Sequence, residues 1–314
     1  MGAEPARQTG LQGKSSSSHP STEFQLGKYK SFSASPVKSI RYPRFATPEA
    51  EREFRKLHHA AALRWLGTNG YNNEGAGGHV TVRDPISPDT FWINPHGKSF
   101  SHMTPEDLVL VDEHGQILEG GNMHAINPAG YVIHSAVHKA RPDVVAVVHC
   151  HSVPSKAFSA LGCKLEPINQ DACRYVSTTQ QLPVSIIPLT PYNRFYEDHG
   201  LYDGFGGIAV DPEEGEHIVA ALGSTKAVIL QNHGILTVAK SVDGAAFLFG
   251  AMDRCIQAQL LADAASAGRG IQTIKIDRAE AEYTRNNYND EMTYIMFQSA
   301  YVSFSFILDP VNVS

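Results

Sequence analysis

Between residue 47 and about residue 268 the chain alternates short β-type runs with helical patterns, and this alternation constrains the fold more than any other feature. The β-type runs are separated by Gly, Pro and Asp turn residues, and they are too short to be helices. Strands interleaved with helices over one continuous segment are typical of an α/β fold. The sequence therefore predicts a single α/β domain built around a mixed sheet.

The individual elements follow from local patterns. Thr47 is the predicted N-cap of the first helix, because Pro48 fits the first helical position and acidic residues follow in the first turn. Its expected apolar face consists of Phe54, Leu57, Ala61 and Trp65. Strands are predicted in GHVTVRD, TFWINP, DLVLVD, QILEG, VVAVVHCHS, VSIIPL, GIAVD and AVILQNHGILTVA. Further helices are predicted in PAGYVIHSAVHKAR, SKAFSALG, PEEGEHIVAALG and VDGAAFLFGAMDRCIQAQLLADAAS.

Two flanking segments differ from this central domain, which spans residues 46–268. Residues 1–45 contain nine serines and seven basic against two acidic residues, with almost no periodic apolar pattern, and this predicts a disordered basic tail. A mitochondrial transit peptide has a similar composition, but the apolar face of an amphipathic helix is missing. Residues 269–314 contain a helical pattern rich in aromatic residues, which predicts an extension that docks on the body or on a neighbouring subunit.

Composition excludes several classes of protein. No apolar run approaches the roughly 20 residues that a membrane-spanning helix needs, and no secretory signal is evident. The net charge is −6, and because residues 1–45 carry +5 the rest of the chain carries −11, which argues against a nucleic-acid partner. The four cysteines form no C-x-x-C pair, so reduced thiols and a cytoplasmic location are expected.

Three histidines stand out from the fifteen in the chain. His149 and His151 lie two positions apart at the end of the apolar run VVAVV, so a strand there would point both imidazoles to one face and Cys150 to the other. His233 lies in a short N-H-G turn between two apolar runs, where Gly234 permits an unusual backbone angle. Neutral imidazoles are ligands that borderline metals accept readily. Each signal alone also fits an ordinary core or turn histidine.

Taken in order, these motifs resemble the class II aldolase/adducin family from about Phe45 to Ala265. The most specific parts are H-x-x-R-P-D-V-x-A-V-V-H-x-H-S and Q-N-H-G. The resemblance implies an α/β/α sandwich, usually a homotetramer with its site near a subunit boundary. It also implies a divalent metal on His149, His151 and His233, usually zinc, with Fe(II), Mn or Co as alternatives.

The chain departs from the sugar-phosphate aldolases of this family at two positions. By resemblance, their acid/base glutamate lies four residues before the histidine that is His134 here, and the matching residue is Gly130. Their phosphate loop is replaced by GHVT, with His79 where Asn is expected. FWINP and NPAG instead resemble the adducin-like branch, but animal adducin heads lack the three histidines. A metal enzyme that is not a sugar-phosphate aldolase is therefore expected, rather than a cytoskeletal scaffold.

A three-histidine metal with an open position polarises a carbonyl and stabilises an enolate. The expected function is a divalent-metal-dependent lyase that performs aldol-type cleavage or decarboxylation on a small, non-phosphorylated oxo- or hydroxy-acid or a related carbonyl compound. The alternatives are a non-haem Fe(II) oxygenase acting on a 2-oxo or hydroxy acid, a chemistry this fold is known to host, and a non-catalytic adducin-like interaction module. Residues 79–83 and 190–205, including Arg194, are the expected pocket lining. The candidate bases are metal hydroxide, His79, His96, Glu119 and Tyr192.

Overall fold

The computed structural model describes the chain in eight ranges, and it divides into two units, Met1–Ile40 and Arg41–Ser314. The described residues are 22–26, 29–33, 40–72, 77–121, 125–175, 198–207, 212–286 and 289–305. In the first unit, Thr22–Leu26 (β1) pairs antiparallel with Tyr29–Ser33 (β2). This ladder lies within residues 1–45, where the sequence analysis predicts a disordered tail and no strands. The sequence signal lies in two five-residue runs that contain aromatic residues and are separated by two residues that begin with glycine.

The second unit contains the α/β fold. Its strands are β3 (His79–Arg83), β4 (Phe91–Ile93), β5 (Val109–Val111), β6 (Ile117–Glu119), β7 (Ala146–Cys150), β8 (His199–Tyr202), β9 (Ala227–Leu230) and β10 (Gly234–Ala239). Its helices are α1 (Pro48–Thr68), α2 (Pro128–Ala140), α3 (Val153–Ser159), α4 (Pro212–Leu222), α5 (Val242–Arg269), α6 (Arg278–Asn286) and α7 (Asp290–Ser305). Short 3-10 turns lie at Phe100–His102, Pro105–Asp107 and Ala172–Tyr175.

These strands form one eight-stranded sheet in the order β6-β5-β4-β3-β7-β10-β9-β8. The β8–β9 pair is parallel and the other neighbouring pairs are antiparallel, so the predicted mixed sheet is confirmed. Helices α2 and α4 pack together on one face, while α1, α5 and α7 pack on the other. The predicted α/β/α arrangement is therefore confirmed.

Side chains of the central strand β7 point alternately to the two helical layers. In β7, Val148 and Cys150 belong to the apolar cluster on the α1–α5 side, whereas Val147 belongs to the cluster on the α2–α4 side. Because side chains alternate along a strand, His149 lies on the α2 side, together with Val147. Cys150 points away from His149, as the sequence predicts.

Helix α1 begins as predicted, but its buried face is different. The Thr47 hydroxyl accepts the amide of Ala50 at 3.2 Å, which caps the first turn. Leu57, expected in the core, is 39% exposed, whereas His58 and His59 are buried. His58 can occupy the core because its Nδ1 lies 2.7 Å from Asp243 Oδ1.

The C-terminal helix α7 packs on α1 and α5 of the same chain. Phe297 is buried with its ring centroid 5.3 Å from that of Trp65. The Tyr301 ring stacks on His58 at 3.7 Å with an angle of 9° between the planes. The aromatic residues that the sequence marks in this extension thus cover a polar pair, His58 and Asp243, that would otherwise face solvent.

Two predicted strands lie wholly or mostly outside the described residues, and β8 was missed in addition to β1 and β2. VSIIPL lies outside the described residues, and so does most of GIAVD. Strand β8, which the sequence analysis treats as part of the 190–205 loop, pairs parallel with β9 from His199↔Ala227 to Tyr202↔Leu230. Its four residues HGLY include a glycine and a histidine, so they lack an apolar strand pattern. In the described part of the chain, no helix is both long and apolar enough to cross a membrane.

Candidate metal centre

The centre forms where β7 ends and β10 begins. His149 is the fourth residue of β7 and His151 follows its last residue, while His233 lies in the turn between β9 and β10. Strands β7 and β10 are antiparallel neighbours with Ile235 opposite Cys150. This pairing brings the turn beside the end of β7, so residues 84 positions apart in the sequence become neighbours.

Unusual backbone angles position His233. Asn232 has a φ of 57°, a left-handed conformation that asparagine tolerates better than most residues. Gly234 has a φ of 156°, and a Cβ there would lie 3.1 Å from the carbonyl oxygen of Cys150. The His233 amide donates to the carbonyl of Leu230 at 3.0 Å, which closes the turn. The N-H-G motif is therefore needed for the turn itself as well as for the imidazole.

The three imidazoles form a nearly equilateral triangle. Their ring centroids are 4.7 Å apart for His149–His151, 4.8 Å for His149–His233 and 4.7 Å for His151–His233. Their potential ligand atoms all lie within 4.8 Å of one another, and the Nε2 atoms of His149 and His151 are 2.8 Å apart. Zinc–nitrogen bonds of about 2.0–2.1 Å in a tetrahedral site place ligand nitrogens about 3.3 Å apart. The triangle therefore fits a metal ion after small adjustments.

The tautomer of His149 is set by a backbone contact. Its Nδ1 lies 2.9 Å from the carbonyl oxygen of Ile235, which can only accept a hydrogen bond, so Nδ1 carries the proton. The lone pair of Nε2 then points to the centre of the triangle. A ring nitrogen held by a carbonyl in this way is the usual support for a metal-binding histidine.

The local electrostatics favour neutral imidazoles. Burial, reinforced by the neighbouring imidazoles, lowers the pKa of His149 well below its ordinary value and lowers the pKa of His233 to about 4. Neutral histidine is the form that binds metals. Among the described residues, the metal-binding group consists of these three histidines without a carboxylate. Three protein ligands leave at least one position open for a small molecule.

His79 lies beside this triangle. It is directly opposite His149 in the β3–β7 ladder, and the two rings are nearly parallel with centroids 6.1 Å apart. The His79 side chain is buried, and a Cβ at Gly130 would lie 2.2 Å from its Cδ2 atom. The His79 ring therefore occupies the space that a side chain on residue 130 would need. Position 130 is where the resemblance places the glutamate of the sugar-phosphate aldolases. The two departures from those enzymes are a single structural feature.

The other predicted site residues are not brought to the triangle by the described structure. Glu119 is exposed on β6, four strands from β7, and strand spacing places it about 19 Å away. Tyr192 and Arg194 lie outside the described residues, as does the first half of the 190–205 segment. His96 is exposed. At the far end of β3, Arg83 instead donates to the carbonyl of His138 at 2.6 Å, so of residues 79–83 His79 is the one beside the centre.

Sequence reasoning missed the groups that support the ligands. Ser152, directly after His151, caps α3 through the amide of Ser155 and donates to the buried carboxylate of Asp253. The signal for the cap was present in the motif S-V-P, which places a proline early in the helix. The partner Asp253 is 101 residues further along the chain and had no local signal.

The chain is similar to known proteins over most of its length. The family model "Class II Aldolase and Adducin N-terminal domain" matches residues 58–260. The chain is 40% identical to "Decarboxylase NovR" from Streptomyces niveus over 224 residues, which cover 71% of this chain and 75% of that protein. It is 38% identical to "4-hydroxy-3-prenylphenylpyruvate oxygenase/4-hydroxy-3-prenylbenzoate synthase" from Streptomyces roseochromogenus subsp. oscitans, with 73% and 75% covered.

Among solved structures, the chain is similar to an L-fuculose 1-phosphate aldolase from Glaciozyma antarctica PI12. The TM-score is 0.71 at 37% identity, and the match covers 85% of this chain and 94% of that one. The fold and the family match together define the class of protein. The chain belongs to the class II aldolase/adducin family, and the predicted resemblance is confirmed.

Proposed function

We propose that this protein is a divalent-metal-dependent lyase that breaks a carbon–carbon bond in a non-phosphorylated oxo- or hydroxy-acid, by decarboxylation or aldol-type cleavage. The observation that carries the proposal is the convergence of the imidazoles of His149, His151 and His233, which as three ligands would leave at least one coordination position open. These three residues are the proposed ligands. When bound there, a divalent cation supplies Lewis acidity, which polarises a substrate oxygen and stabilises the negative charge left when the bond breaks.

The residues of the chain hold this centre rigidly. Ile235 fixes the tautomer of His149 through its carbonyl, the β9–β10 turn fixes His233, and the capped start of α3 fixes the backbone after His151. A rigid centre keeps a bound substrate in one orientation relative to the breaking bond, which lowers the entropic part of the barrier. Zinc is the proposed metal, with Mn, Co and Fe(II) as alternatives.

The substrate class rests on the site more than on the names of relatives. The decarboxylase and the fuculose 1-phosphate aldolase are 40% and 37% identical to this chain, so identity alone does not separate a carboxylic acid from a sugar phosphate. The pair of His79 and Gly130 supports the carboxylic acid, because its geometry leaves no room for a glutamate side chain at position 130. This supports chemistry that does not use the acid/base group of the sugar-phosphate aldolases.

The relative named as a 4-hydroxy-3-prenylphenylpyruvate oxygenase favours a second candidate function. At 38% identity it is nearly as similar as the decarboxylase. Three neutral histidines also suit Fe(II) with open positions for oxygen and a 2-oxo acid. Under this alternative the ligands are the same, and the difference lies in the metal and in a requirement for oxygen.

We also propose a homo-oligomer, because enzymes of this family commonly assemble. The cytoplasmic location inferred from the cysteines stays a prediction.

The test is elemental analysis of protein purified without chelator or affinity metal, beside the double variant His149→Ala/His233→Ala. We expect a stoichiometric divalent metal in the wild type and its loss in the variant. The metalated protein is then assayed for CO2 release or carbonyl products with a panel of 2-oxo and hydroxy acids, and with L-fuculose 1-phosphate. The panel includes a phenylpyruvate and is run with and without oxygen.

Each outcome separates the candidates. Zinc, manganese or cobalt with oxygen-independent turnover supports the lyase, whereas iron with oxygen uptake establishes the second candidate. Cleavage of the sugar phosphate contradicts the proposed substrate class. A wild type without metal contradicts both enzyme proposals and favours an adducin-like module.

A further inference from the structure

His79 is a buried histidine whose ring nitrogens have no hydrogen-bond partner within the described part of the chain. The residue is 5% exposed, and both Nδ1 and Nε2 are inaccessible to solvent. Nearly all buried polar atoms in native proteins are paired, so two unpaired atoms on one ring require an explanation. His134 on α2 differs from it, since its Nδ1 lies 2.8 Å from the hydroxyl of Thr81 and only its Nε2 has no partner among the described residues.

Gly130 shows that the position of this ring is built into the fold. A Cβ on Gly130 would lie 2.2 Å from Cδ2 and 2.4 Å from both Cγ and Nε2 of His79, so even alanine would displace the imidazole. Gly130 is the third residue of α2, where glycine is less favourable than alanine for helix formation. Its conformation is helical and its φ is not positive, so the backbone gives no reason for glycine. The space for His79 is the remaining reason.

The surroundings of the ring indicate what it would bind. His79 lies beside His149 on the face of the sheet that carries the proposed centre, with ring centroids 6.1 Å apart. It is not one of the three histidines whose ligand atoms lie within 4.8 Å of one another. The first turn of α2 lies against it, and the positive end of a helix dipole favours an anionic group. A neutral imidazole offers one N–H donor to such a group.

We propose that His79 is a substrate-contacting residue that donates a hydrogen bond to a carboxylate oxygen of an acid bound at the centre, and that Gly130 keeps the space for its ring. This inference rests on the proposed function, because it assumes a metal-bound acid as the substrate. It goes further by assigning the residue that recognises the carboxylate and by explaining Gly130.

The first arm of the test is steric and uses metal-free protein. Gly130→Ala in the wild-type background should lower Tm, because the Cβ and the imidazole cannot occupy the same space. In a His79→Ala background the same substitution should leave Tm unchanged or raise it, because alanine is the better helix former. Gly268→Ala is the matched control, since a Cβ at that helical glycine meets no atom within 4 Å. Equal effects of Gly130→Ala in the two backgrounds would overturn the pairing.

The second arm measures binding. Oxalate, a planar dicarboxylate, is titrated into Co(II)-loaded protein and followed by the visible absorption of the cobalt. His79→Phe keeps an aromatic ring but removes both nitrogens, and we expect Co(II) to bind as in the wild type while oxalate binds at least about tenfold more weakly, which matches the loss of a hydrogen bond to a charged group. Gly268→Ala should bind oxalate like the wild type.

The outcomes separate this inference from the proposed function. Unchanged oxalate affinity in His79→Phe overturns the role of His79 while leaving the metal centre intact. Weaker Co(II) binding in His79→Phe overturns it as well, because His79 would then be a ligand. A wild type that binds no Co(II) overturns the proposed function and this inference together, whereas the steric arm still reports on the fold.

Discussion

The two ligand substitutions His149→Ala and His233→Ala should have the same effect on metal binding and different effects on folding. Both remove one of three metal ligands, so both should lose the metal. His149 is 1% exposed and its Nδ1 bonds to the carbonyl of Ile235, whereas His233 is only partly buried. The fold therefore depends on the first ring more than on the second.

The magnitudes follow from these surroundings. Replacing the buried ring of His149 leaves a cavity and removes the donor to Ile235, and we expect the free energy of unfolding of the metal-free protein to fall by about 2–4 kcal/mol. His233→Ala keeps the hydrogen bond from the residue 233 amide to the carbonyl of Leu230, which closes the turn. It should therefore change the free energy of unfolding by less than about 1 kcal/mol. Metal at a hundredfold excess over Kd should add about 2.7 kcal/mol to the wild type and little to either variant.

Urea unfolding with and without added metal measures these free energies, and elemental analysis measures the bound metal. His114→Ala is the control, because its side chain is 74% exposed. Metal retained in either variant would refute the ligand assignment. Equal destabilisation of the two metal-free variants would refute the distinction drawn from burial.

Three further predictions concern buried polar groups that stabilise the fold. Thr81→Val should lower the free energy of unfolding by about 2–4 kcal/mol, because it removes the hydroxyl that lies 2.8 Å from both His134 Nδ1 and His138 Nε2. Urea unfolding measures this loss. Thr81→Ser, which keeps the hydroxyl, is the control and should be nearly neutral. Burial lowers the pKa of His59 and of His138 to about 3, so the unfolded chain binds protons first as pH falls below about 6.5. Stability should therefore decrease by about 3 kcal/mol between pH 7.5 and 5.5 from these two residues, and a flat profile in urea unfolding would contradict it. Asp84→Ala removes the buried acceptor of a bidentate arginine pair and should cost about 3–5 kcal/mol, measured by the same unfolding series.

The sequence predicted what depends on local periodicity. Alternation along a strand was enough to place His149 and His151 on one face, and turn chemistry was enough to place His233 between two strands. The fold class follows from the alternating strand and helix patterns, whereas the family was predicted from the resemblance of the ordered motifs to known members. Strand β8 was not predicted because it contains a glycine and a histidine, and neither residue has a strand preference.

Periodicity failed where polar residues occupy the core. An apolar face through Leu57 was expected in α1, yet His58 and His59 are the buried residues. Their partners, Asp243 and the carbonyl of Val80, are 185 and 21 residues away in the sequence. Burying a histidine costs free energy unless such partners offset it, and the sequence of α1 alone contains no information about them.

The same limit explains why Gly130 and His79 appeared as two separate departures from the aldolases. Four residues of an α-helix rise about 6.0 Å and two residues of a strand rise about 6.6 Å, so a helix packed along a strand keeps i, i+4 positions level with i, i+2 positions. Contacts follow this match from one end of α2 to the other. The facing pairs are Gly130 with His79, His134 with Thr81, and His138 with Arg83. The sequence contains both spacings, G-x-x-x-H-x-x-x-H and H-x-T-x-R. Their pairing can be recognised only once α2 is known to lie on β3 with this register. Compensation at the facing position is therefore expected for Gly130 with His79 and for His134 with Thr81, whereas Arg83 contacts only the backbone carbonyl of His138.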